Sequence, residues 1–164
     1  RNAASMEMNG LELELMYQVT EAWDLMVTYG YLEAEYKDYL ADLTGDGVIT
    51  DNSGLIPRNT PENTFGITTS YTTQVGDGEL KGRISYRFRD EMNSDSSNNP
   101  YGDLDSIENV NATINYSIDN YSITIWGRNL TDEREQRWAT IGGLTSRGWW
   151  NEPQTLGITF SASY

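Results

Sequence analysis

The chain has 164 residues, a net charge of −14 and neither cysteine nor histidine. A length of this order suits one domain. Without cysteine and histidine, disulfides, thiolate or imidazole metal sites and histidine-based catalytic triads are excluded. The excess of acidic residues argues against nucleic-acid binding, which needs a basic surface. No apolar run exceeds three residues, which excludes a transmembrane helix but leaves open a membrane-spanning sheet.

The dominant hydrophobic period is two residues, the period of a β-strand with two different faces. Between Leu11 and Val19 every second residue is apolar, and the alternate positions include Glu12 and Glu14. The alternation recurs six more times, and no segment has a convincing helical period. The predicted strands, in chain order, are Leu11–Val19, Leu25–Tyr31, Phe65–Tyr71, Leu80–Phe88, Val110–Ile118, Tyr121–Ile125 and Leu156–Tyr164. We therefore predict an all-β fold, an antiparallel up-and-down meander of about seven long strands.

The connections between the predicted strands alternate in length. Three are short and have the glycine, aspartate and asparagine content of tight turns: Thr20–Asp24, Thr73–Gly78 and Asp119–Asn120. Three are long and polar: 37–60, 90–106 and 130–152. Short turns at one end and long loops at the other are typical of outer-membrane barrels.

Aromatic residues mark both ends of the predicted strands, whereas the strand centres are mostly aliphatic. Those near the short turns are Tyr17, Trp23, Tyr71, Tyr116, Tyr121, Phe160 and Tyr164. Those near the long loops are Tyr29, Tyr31, Phe65, Tyr86 and Phe88. Two aromatic bands around an aliphatic belt are typical of a sheet that spans a membrane, although strands are rich in aromatic residues in general.

The second face of the predicted sheet is too polar for a protein core. It carries Glu12, Glu14, Lys81, Arg83, Arg87, Arg89, Asn111, Asn115 and Arg128. This face must meet water or a polar partner, and the apolar face must meet lipid or a second sheet. Glu12 and Glu14 could act as an acid–base pair, but the simpler interpretation is that they balance the basic row.

Four segments together resemble the C-terminal part of TonB-dependent receptors, the plugged outer-membrane transporters of Gram-negative bacteria. Gly127–Glu133 looks like the family's "G-x-NLTDE" signature, with Asn129, Leu130, Thr131 and Asp132 at its centre. Asn9–Glu14 is similar to its "NGxExE" strand opening, and Pro57–Pro61 resembles its "PRxTP" step. The end of the chain, with Phe160 and Tyr164, looks like the C-terminal strand signal that the barrel-assembly machinery reads.

The resemblance implies an architecture larger than the chain. It implies that residues 1–164 are a C-terminal segment of a 22-stranded transmembrane β-barrel, with the earlier strands and an N-terminal plug domain upstream. It also implies a location in the outer membrane, in contact with lipid, with extracellular long loops and a periplasmic C-terminus. The 12 acidic residues of segments 33–51 and 90–108 would then lie at or near the cell surface.

The function implied by the resemblance is the uptake of a scarce nutrient without catalysis. Ferric siderophore is the commonest family substrate, and cobalamin or an oligosaccharide are the alternatives. Energy would come from TonB acting on the plug. Arg83 and Arg87 of the basic row would attract an anionic ligand, and the alternative is that the row balances the charge of Glu12, Glu14 and a plug domain. Trp138, Trp149 and Trp150 of the last long loop would stack on a sugar ring or an aromatic ligand, and the alternative is that they pack the loops together.

The first long loop resembles a calcium-binding loop between 42 and 53. Oxygen ligands would come from Asp42, Thr44, Asp46, Val48, Thr50 and Asp51, and Gly47 would provide the sharp turn. The departure is Ser53, which stands where a bidentate carboxylate is expected. The alternative interpretation is a solvated acidic turn. No other cofactor is indicated.

A second class of function also fits part of the pattern. In a secreted, calcium-dependent carbohydrate-binding β-sandwich, the calcium loop and the loop tryptophans would form the binding site. That fold would bury the apolar face against a second sheet. It does not explain the two aromatic bands, the charged second face or the terminal strand signal.

Overall fold

The computed structural model describes residues 4–142 and 145–163, with side chains described outside the segment 139–146. Tyr164, the predicted terminal aromatic residue, lies outside the described residues. None of the described residues belongs to a helix that is long and apolar enough to cross a membrane. The predicted all-β fold is confirmed: one 3-10 turn, Pro100–Gly102, interrupts an otherwise β structure.

Seven long strands form one antiparallel sheet, as the alternation predicts. They are β1 (Ala4–Thr20), β2 (Trp23–Ala41), β4 (Asn63–Val75), β5 (Gly78–Arg89), β8 (Ile107–Ile118), β9 (Tyr121–Arg128) and β12 (Thr155–Ala162). The shorter strands are β3 (Thr50–Asp51), β6 (Met92–Asn93), β7 (Asp103–Leu104), β10 (Gln136–Gly142) and β11 (Thr145–Trp150). Each long strand pairs with the next one along the chain, so the sheet is a simple meander.

The meander is open in the described part of the chain. β1 pairs only with β2, and β12 pairs only with β9. The tight connections β1–β2, β4–β5 and β8–β9 all lie at one end of the sheet, which we call the short-turn end. The opposite end, which we call the long-loop end, holds the other three connections.

The cross-strand register aligns the apolar side chains into one continuous face. Val27 of β2 lies opposite Leu15 and Ile67, and Ile125 of β9 lies opposite Ile114 and Ile158. Directly paired residues point to the same side of a sheet, so these residues share what we call the apolar face. Its side chains are uncovered: Leu13 and Ile114 are 56% and 54% exposed, and no second sheet packs on them among the described residues.

The opposite side of the same sheet, the polar face, carries the charged row. Arg83 of β5 lies opposite Ser70 and Thr113, and Arg87 lies opposite Gly66 and Asn109. Asn115, two positions from Thr113, donates a hydrogen bond to the Thr124 hydroxyl at 2.7 Å. Charged and polar side chains thus line this face, which has the character of a water-filled lumen.

The aromatic bands of the apolar face are set by the register. Tyr29, Phe65 and Phe88 lie opposite one another across three strands near the long loops. At the short-turn end, Trp23 lies opposite Tyr71, and its indole N–H donates to the Thr69 hydroxyl at 2.6 Å. These rings place an apolar body beside the aliphatic belt, and the polar groups of Trp23 and Tyr29 are hydrogen-bonded, as in interfacial aromatic residues.

β1 and β2 are longer than predicted. Beyond the Tyr31–Asn63 pair, residues 32–41 of β2 have only β1 and β3 as neighbours. At about 3.3 Å per residue, these ten residues carry the β1–β2 hairpin roughly 33 Å beyond the end of β4. Lys37 of the projection pairs with Glu7 at 3.4 Å and also with Glu35. The alternation changes phase at this point, because apolar residues occupy odd positions up to Tyr31 and even positions from Leu32 to Tyr36, so the predicted strand ended there.

The two faces make opposite predictions for a charge placed on one strand. We expect Ile114→Arg to destabilise the membrane-inserted protein by about 2–4 kcal/mol, because the guanidinium would enter lipid near the bilayer midplane. Ser117→Arg, on the polar face of the same strand and opposite Glu79, should change the unfolding free energy by less than about 0.5 kcal/mol. Urea unfolding in lipid vesicles, followed by tryptophan fluorescence, measures both. Equal losses for the two variants would contradict the assignment of faces.

Candidate ligand-binding cleft

The long loops pack into a layer over the long-loop end of the sheet. Asn98 and Ile56 join two of them, because the Asn98 side chain accepts from the Ile56 N–H at 2.6 Å and donates to its carbonyl at 2.8 Å. Leu104, at 2% exposure, is the one large hydrophobic side chain that is buried in the described part of the chain. Pro57 is buried in the same layer of loops. The loops therefore have a small core of their own, which positions the residues below them.

An open cleft of about 770 Å³ lies beneath this layer, at the long-loop end of the polar face. We call it the basic cleft. The charged residues that line it are Arg87, Arg89, Arg128, Arg137, Glu135 and Glu152, and Trp150 forms part of its wall. Four arginines against two glutamates give this cleft a positive charge in a chain whose net charge is −14.

Arg89 is a structural residue of the cleft. Its guanidinium donates to the carbonyls of Asp90 at 2.7 Å and Asp105 at 3.0 Å, and it pairs with the Glu135 carboxylate at 3.3 Å. Both charged side chains are largely buried, at 14% and 17% exposure. Arg137 also approaches Glu135, at 3.7 Å. Glu135 is therefore neutralised by the protein and does not compete with a bound anion.

Arg87 and Arg128 carry the charge that remains for a ligand. Arg87 forms no hydrogen bond or ion pair with any described residue. The Arg128 guanidinium lies over Trp126, with its central carbon 5.3 Å from the ring centroid. Its N–H groups form no hydrogen bond with any described residue. Guanidinium groups bind carboxylates and similar anions through paired hydrogen bonds, so these two are suited to a planar oxyanion.

The cleft gathers two of the five residues predicted to contact ligand, Arg87 and Trp150. Arg83 lies on the same face but four residues closer to the short-turn end, roughly 13 Å away along the strand. Trp138 and Trp149 lie outside the cleft on the β10–β11 hairpin, where their ring centroids are 6.1 Å apart at 61°.

The sequence showed Arg128 as a polar-face residue but did not place it in a site, and it did not single out Arg137 or Glu135. The signal for Arg128 was its position one residue before the Asn129 motif. Arg137 and Glu135 lay in a loop that we predicted to be irregular, whereas the structure forms the β10–β11 hairpin there. The hairpin is too short for a hydrophobic period to be recognised in the sequence. The contacts of Arg137 and Glu135 can therefore be seen only in the folded loop.

Asn129, the first residue of the Asn-Leu-Thr-Asp motif, lies in the wall of the basic cleft and is only 4% exposed. Its side-chain amide donates to the carbonyls of Glu133 at 2.9 Å and Glu152 at 3.0 Å. Its side-chain oxygen accepts from the Asn109 side-chain amide at 3.2 Å and the Glu133 N–H at 3.1 Å. One buried carboxamide thus joins β8, the end of β9 and the segment before β12.

The remaining motif residues tie the same three segments. The Leu130 N–H donates to the Val110 carbonyl at 2.8 Å, and the Thr131 hydroxyl donates to the Glu108 carbonyl at 3.0 Å. The Asp132 carboxylate accepts from the Gln154 N–H at 3.3 Å. The motif is therefore a hydrogen-bonded knot at the base of the last long loop, which explains why these residue types occur together.

Phe160, which the sequence named as part of the C-terminal strand signal, lies toward the short-turn end of the sheet. Phe160 of β12 is 68% exposed on the apolar face, and its ring stacks on Tyr121 with centroids 6.1 Å apart. On the polar face, Trp126 covers Gly157, because a Cβ at that glycine would come within 2.2 Å of the indole. Gly157 therefore allows the aromatic ring to cross the last strand pair.

The predicted calcium loop is held by its own hydrogen bonds. The Asp42 carboxylate accepts from the N–H groups of Gly45 at 2.6 Å and Gly47 at 2.7 Å, and Asp46 accepts from the Val48 N–H at 2.8 Å. The bond from Gly47 and those from Gly45 and Thr44 hold the pKa of Asp42 below its usual value. This contribution to loop stability is present above the usual aspartate pKa and is lost as the pH falls through the lowered value.

Calcium binding by this loop stays a prediction. Across residues 4–142 and 145–163, no group of three or more acidic side chains is arranged to hold a metal ion. Thr50 belongs to β3, which folds back on the end of β2, and the Asp51 carboxylate accepts from the Ser53 N–H at 3.0 Å. A bound ion would have to recruit these side chains from the hydrogen bonds they now make.

An open antiparallel meander with one apolar face, one charged face and alternating connection lengths is the wall of a transmembrane β-barrel. The comparison with known families agrees. The family described as "TonB dependent receptor-like, beta-barrel" matches residues 1–130. The chain belongs to this family of outer-membrane receptors.

Two solved receptors have the same fold. The ferric yersiniabactin uptake receptor FyuA from Yersinia pestis matches 99% of this chain with a TM-score of 0.84 and 17% identity. The siderophore receptor PiuA from Acinetobacter baumannii matches 99% with a TM-score of 0.79 and 21% identity. The match covers 24% and 22% of those receptors, so the chain spans less than a quarter of their length.

Removal of the Asn129 side chain should open the knot. We expect Asn129→Gly to lower the unfolding free energy by about 3 kcal/mol, because it leaves several buried polar groups without partners. Asn129→Ala should cost about 1 kcal/mol more, since the residue has a φ of 49°, which glycine tolerates and alanine does not. Urea unfolding in detergent micelles measures both. Asn120→Ala, in an exposed turn, is the control, and a loss no larger than that of the control would contradict the role of the knot.

Calcium should protect the 42–53 loop. We expect chymotrypsin to cleave after Leu43 several-fold more slowly in millimolar calcium than in chelator, because extracellular calcium modules bind at roughly 0.1–1 mM. Asp46→Ala should abolish the difference, and cleavage of a small peptide substrate in both buffers controls for effects on the protease. Equal cleavage rates of the wild-type protein in the two buffers would rule out the site.

Proposed function

We propose that this protein forms part of the barrel wall of a transporter for an anionic ferric siderophore. The basic cleft carries the proposal, because Arg87 and Arg128 hold unpaired positive charge there beside the indole of Trp150. A ferric siderophore complex is large, often negatively charged and partly aromatic, and it needs both kinds of contact. The two similar structures are a ferric yersiniabactin uptake receptor and a siderophore receptor, which supports the same ligand class.

The proposed complete barrel has 22 strands around a plug domain. The unpaired outer edges of β1 and β12 support this, since an unpaired edge is not stable in lipid and needs a neighbouring strand on each side. The polar face would then line the lumen against the plug, with the basic row facing plug or ligand. In this arrangement TonB acts through the plug, and the wall carries out no catalysis.

The proposed orientation places the long loops outside the cell and the short turns in the periplasm. It is supported by the lengths of the connections, which are short on the periplasmic side of outer-membrane barrels. The end of β12 then lies on the periplasmic side, where the barrel-assembly machinery would read Phe160 and Tyr164. The basic cleft opens toward the outside, the side from which a nutrient arrives.

The carbohydrate-binding β-sandwich is the less favoured alternative. A sandwich would cover the apolar face with a second sheet about 10 Å away. In the described part of the chain, the two smaller sheets are the β10–β11 hairpin and the β6–β7 pair, and both lie in the long loops. Neither covers the aliphatic belt.

The proposed function predicts a charge-dependent loss of ligand affinity. We expect Arg128→Gln and Arg87→Gln each to weaken binding of a negatively charged ferric tris-catecholate complex by about 10-fold, since a charge-assisted hydrogen bond contributes about 1.5–3 kcal/mol. The affinity should also fall as salt is added. Quenching of tryptophan fluorescence measures binding to the receptor in detergent.

Lys81→Gln is the matched control. It removes one positive charge from the strand and face that carry Arg87, but Lys81 lies at the short-turn end, outside the basic cleft. Its affinity should stay within about 2-fold of wild type, the range of a remote charge change. Equal effects of all three substitutions would show a general charge effect and would contradict a specific site.

A further inference from the structure

The Arg128 side chain is exposed and lies between two clefts, so the cleft walls do not fix its position. One is the basic cleft. The other, which we call the inner cleft, has a volume of about 510 Å³ and continues along the polar face toward Thr124. An exposed arginine has many rotamers, and fixing one of them when an anion binds costs conformational entropy. The affinity of the site therefore depends on what holds Arg128 in place beforehand.

Trp126 lies two residues before Arg128, on the same face of β9. At about 3.3 Å per residue, the two Cα atoms are roughly 7 Å apart, so the arginine side chain can extend back over the indole. The structure shows this contact, with the Arg128 Cζ atom 5.3 Å from the ring centroid. At this distance the electron-rich face of the indole attracts the positive charge. The contact uses no N–H donor of the guanidinium.

The indole of Trp126 is itself held in one place. Its N–H donates to the Thr159 hydroxyl on β12 at 3.1 Å. Its ring lies against Gly157, the residue directly opposite in the register, where a Cβ would overlap the ring. The glycine provides the space, and the bond to Thr159 fixes the rotation of the ring. Trp126 is therefore a fixed surface for the side chain that rests on it.

Arg89 shows what is different about this contact. The Arg89 guanidinium is fixed by two backbone carbonyls and by Glu135, so its donors and its charge are used within the protein. Arg128 is held by a neutral ring and keeps its hydrogen-bond donors. Arg87, the other arginine assigned to the ligand, contacts no aromatic ring in the described part of the chain. Arg128 is thus the preorganised member of the pair.

We propose that Trp126 is a positioning residue for anion binding in the basic cleft. It holds the Arg128 guanidinium at the boundary of the two clefts, with the N–H groups available to a planar oxyanion. Trp126 does not line the basic cleft, so it acts through Arg128 and not on the ligand. The inference rests on the proposed function, because it explains how one of the two arginines of that function is oriented.

The first test measures the position of Arg128 without a ligand. Side-chain NMR spectra are recorded from the receptor, labelled with nitrogen-15 arginine, in detergent micelles, and Arg128→Gln identifies the Arg128 Nε–H signal. We expect the ring current of Trp126 to shift this signal upfield in the wild type. The shift should be lost in Trp126→Leu and partly kept in Trp126→Phe, which retains an aromatic face.

The second test measures affinity for the ferric tris-catecholate complex by titration calorimetry. We expect Trp126→Leu to weaken binding about 5-fold, which corresponds to about 1 kcal/mol, the size of a cation–π contact. Trp126→Phe should recover most of the affinity. In an Arg128→Gln background, Trp126→Leu should have no further effect, because the ring then has no guanidinium to hold.

Trp23→Leu is the matched control. The Trp23 indole N–H also donates to a threonine hydroxyl, that of Thr69, but no arginine lies over its ring among the described residues. Its affinity should stay within about 2-fold of wild type.

Fluorinated tryptophans at position 126 alone provide a series that keeps the shape of the indole. Each added ring fluorine withdraws electrons from the face that holds Arg128. Affinity should therefore fall stepwise with one, two and three fluorines. This series decides the question even where Trp126→Leu does not fold.

Three results would overturn the proposal. They are an unshifted Arg128 signal in the wild type, an affinity that Trp126→Leu and the fluorine series leave unchanged, and an equal loss from Trp126→Leu with and without Arg128. Failure of the wild type to bind the ferric complex would contradict the proposed function, and the NMR signal would still decide whether Trp126 fixes Arg128. The two failures are therefore distinguishable.

Discussion

The fold depends on one constraint, the pairing of every backbone N–H and C=O group in a medium without water. A meander of antiparallel strands meets it between neighbours, and the strict two-residue alternation follows because each strand separates two different environments. The register then carries this local pattern across the sheet, so that Val27 and Ile158, five strand pairings apart in the apolar face, belong to one aliphatic belt. In the part of the chain that the structure describes, no protein core covers the sheet, and lipid is the solvent that suits its uncovered apolar side chains.

The arrangement of the polar face and the loops depends in turn on this antiparallel sheet. Asn129 ends β9 where the strand leaves the sheet, and its buried carboxamide fixes the base of the last long loop against Asn109 and Glu152. The same residue lines the basic cleft, so the knot that closes the strand end also positions Arg128, its neighbour in sequence. In the proposed function, this one short motif therefore links the structure of the strand end to ligand binding.

The sequence predicted the long strands well and the loop architecture poorly, for a physical reason. Seven long strands each repeat a period of two, which the register reinforces. The β10–β11 hairpin has an irregularity between Gln136 and Trp138 and is too short for a period to emerge. Arg87 and Trp150 could be singled out by residue type and face, but their meeting in one cleft depends on how the last loop folds back. The same holds for Arg137 and Glu135.

The central claim is that one face of the sheet meets lipid and the other meets water, and nitroxide scanning of β8 tests it most directly. The chain has no cysteine, so a single cysteine at each position from 109 to 117 gives one labelled site at a time. In lipid vesicles, labels at even positions, which include Ile114, should collide mainly with oxygen. Labels at odd positions, which include Asn115, should collide mainly with a water-soluble nickel complex. Accessibility without a two-residue alternation, or with the two faces exchanged, would contradict the account.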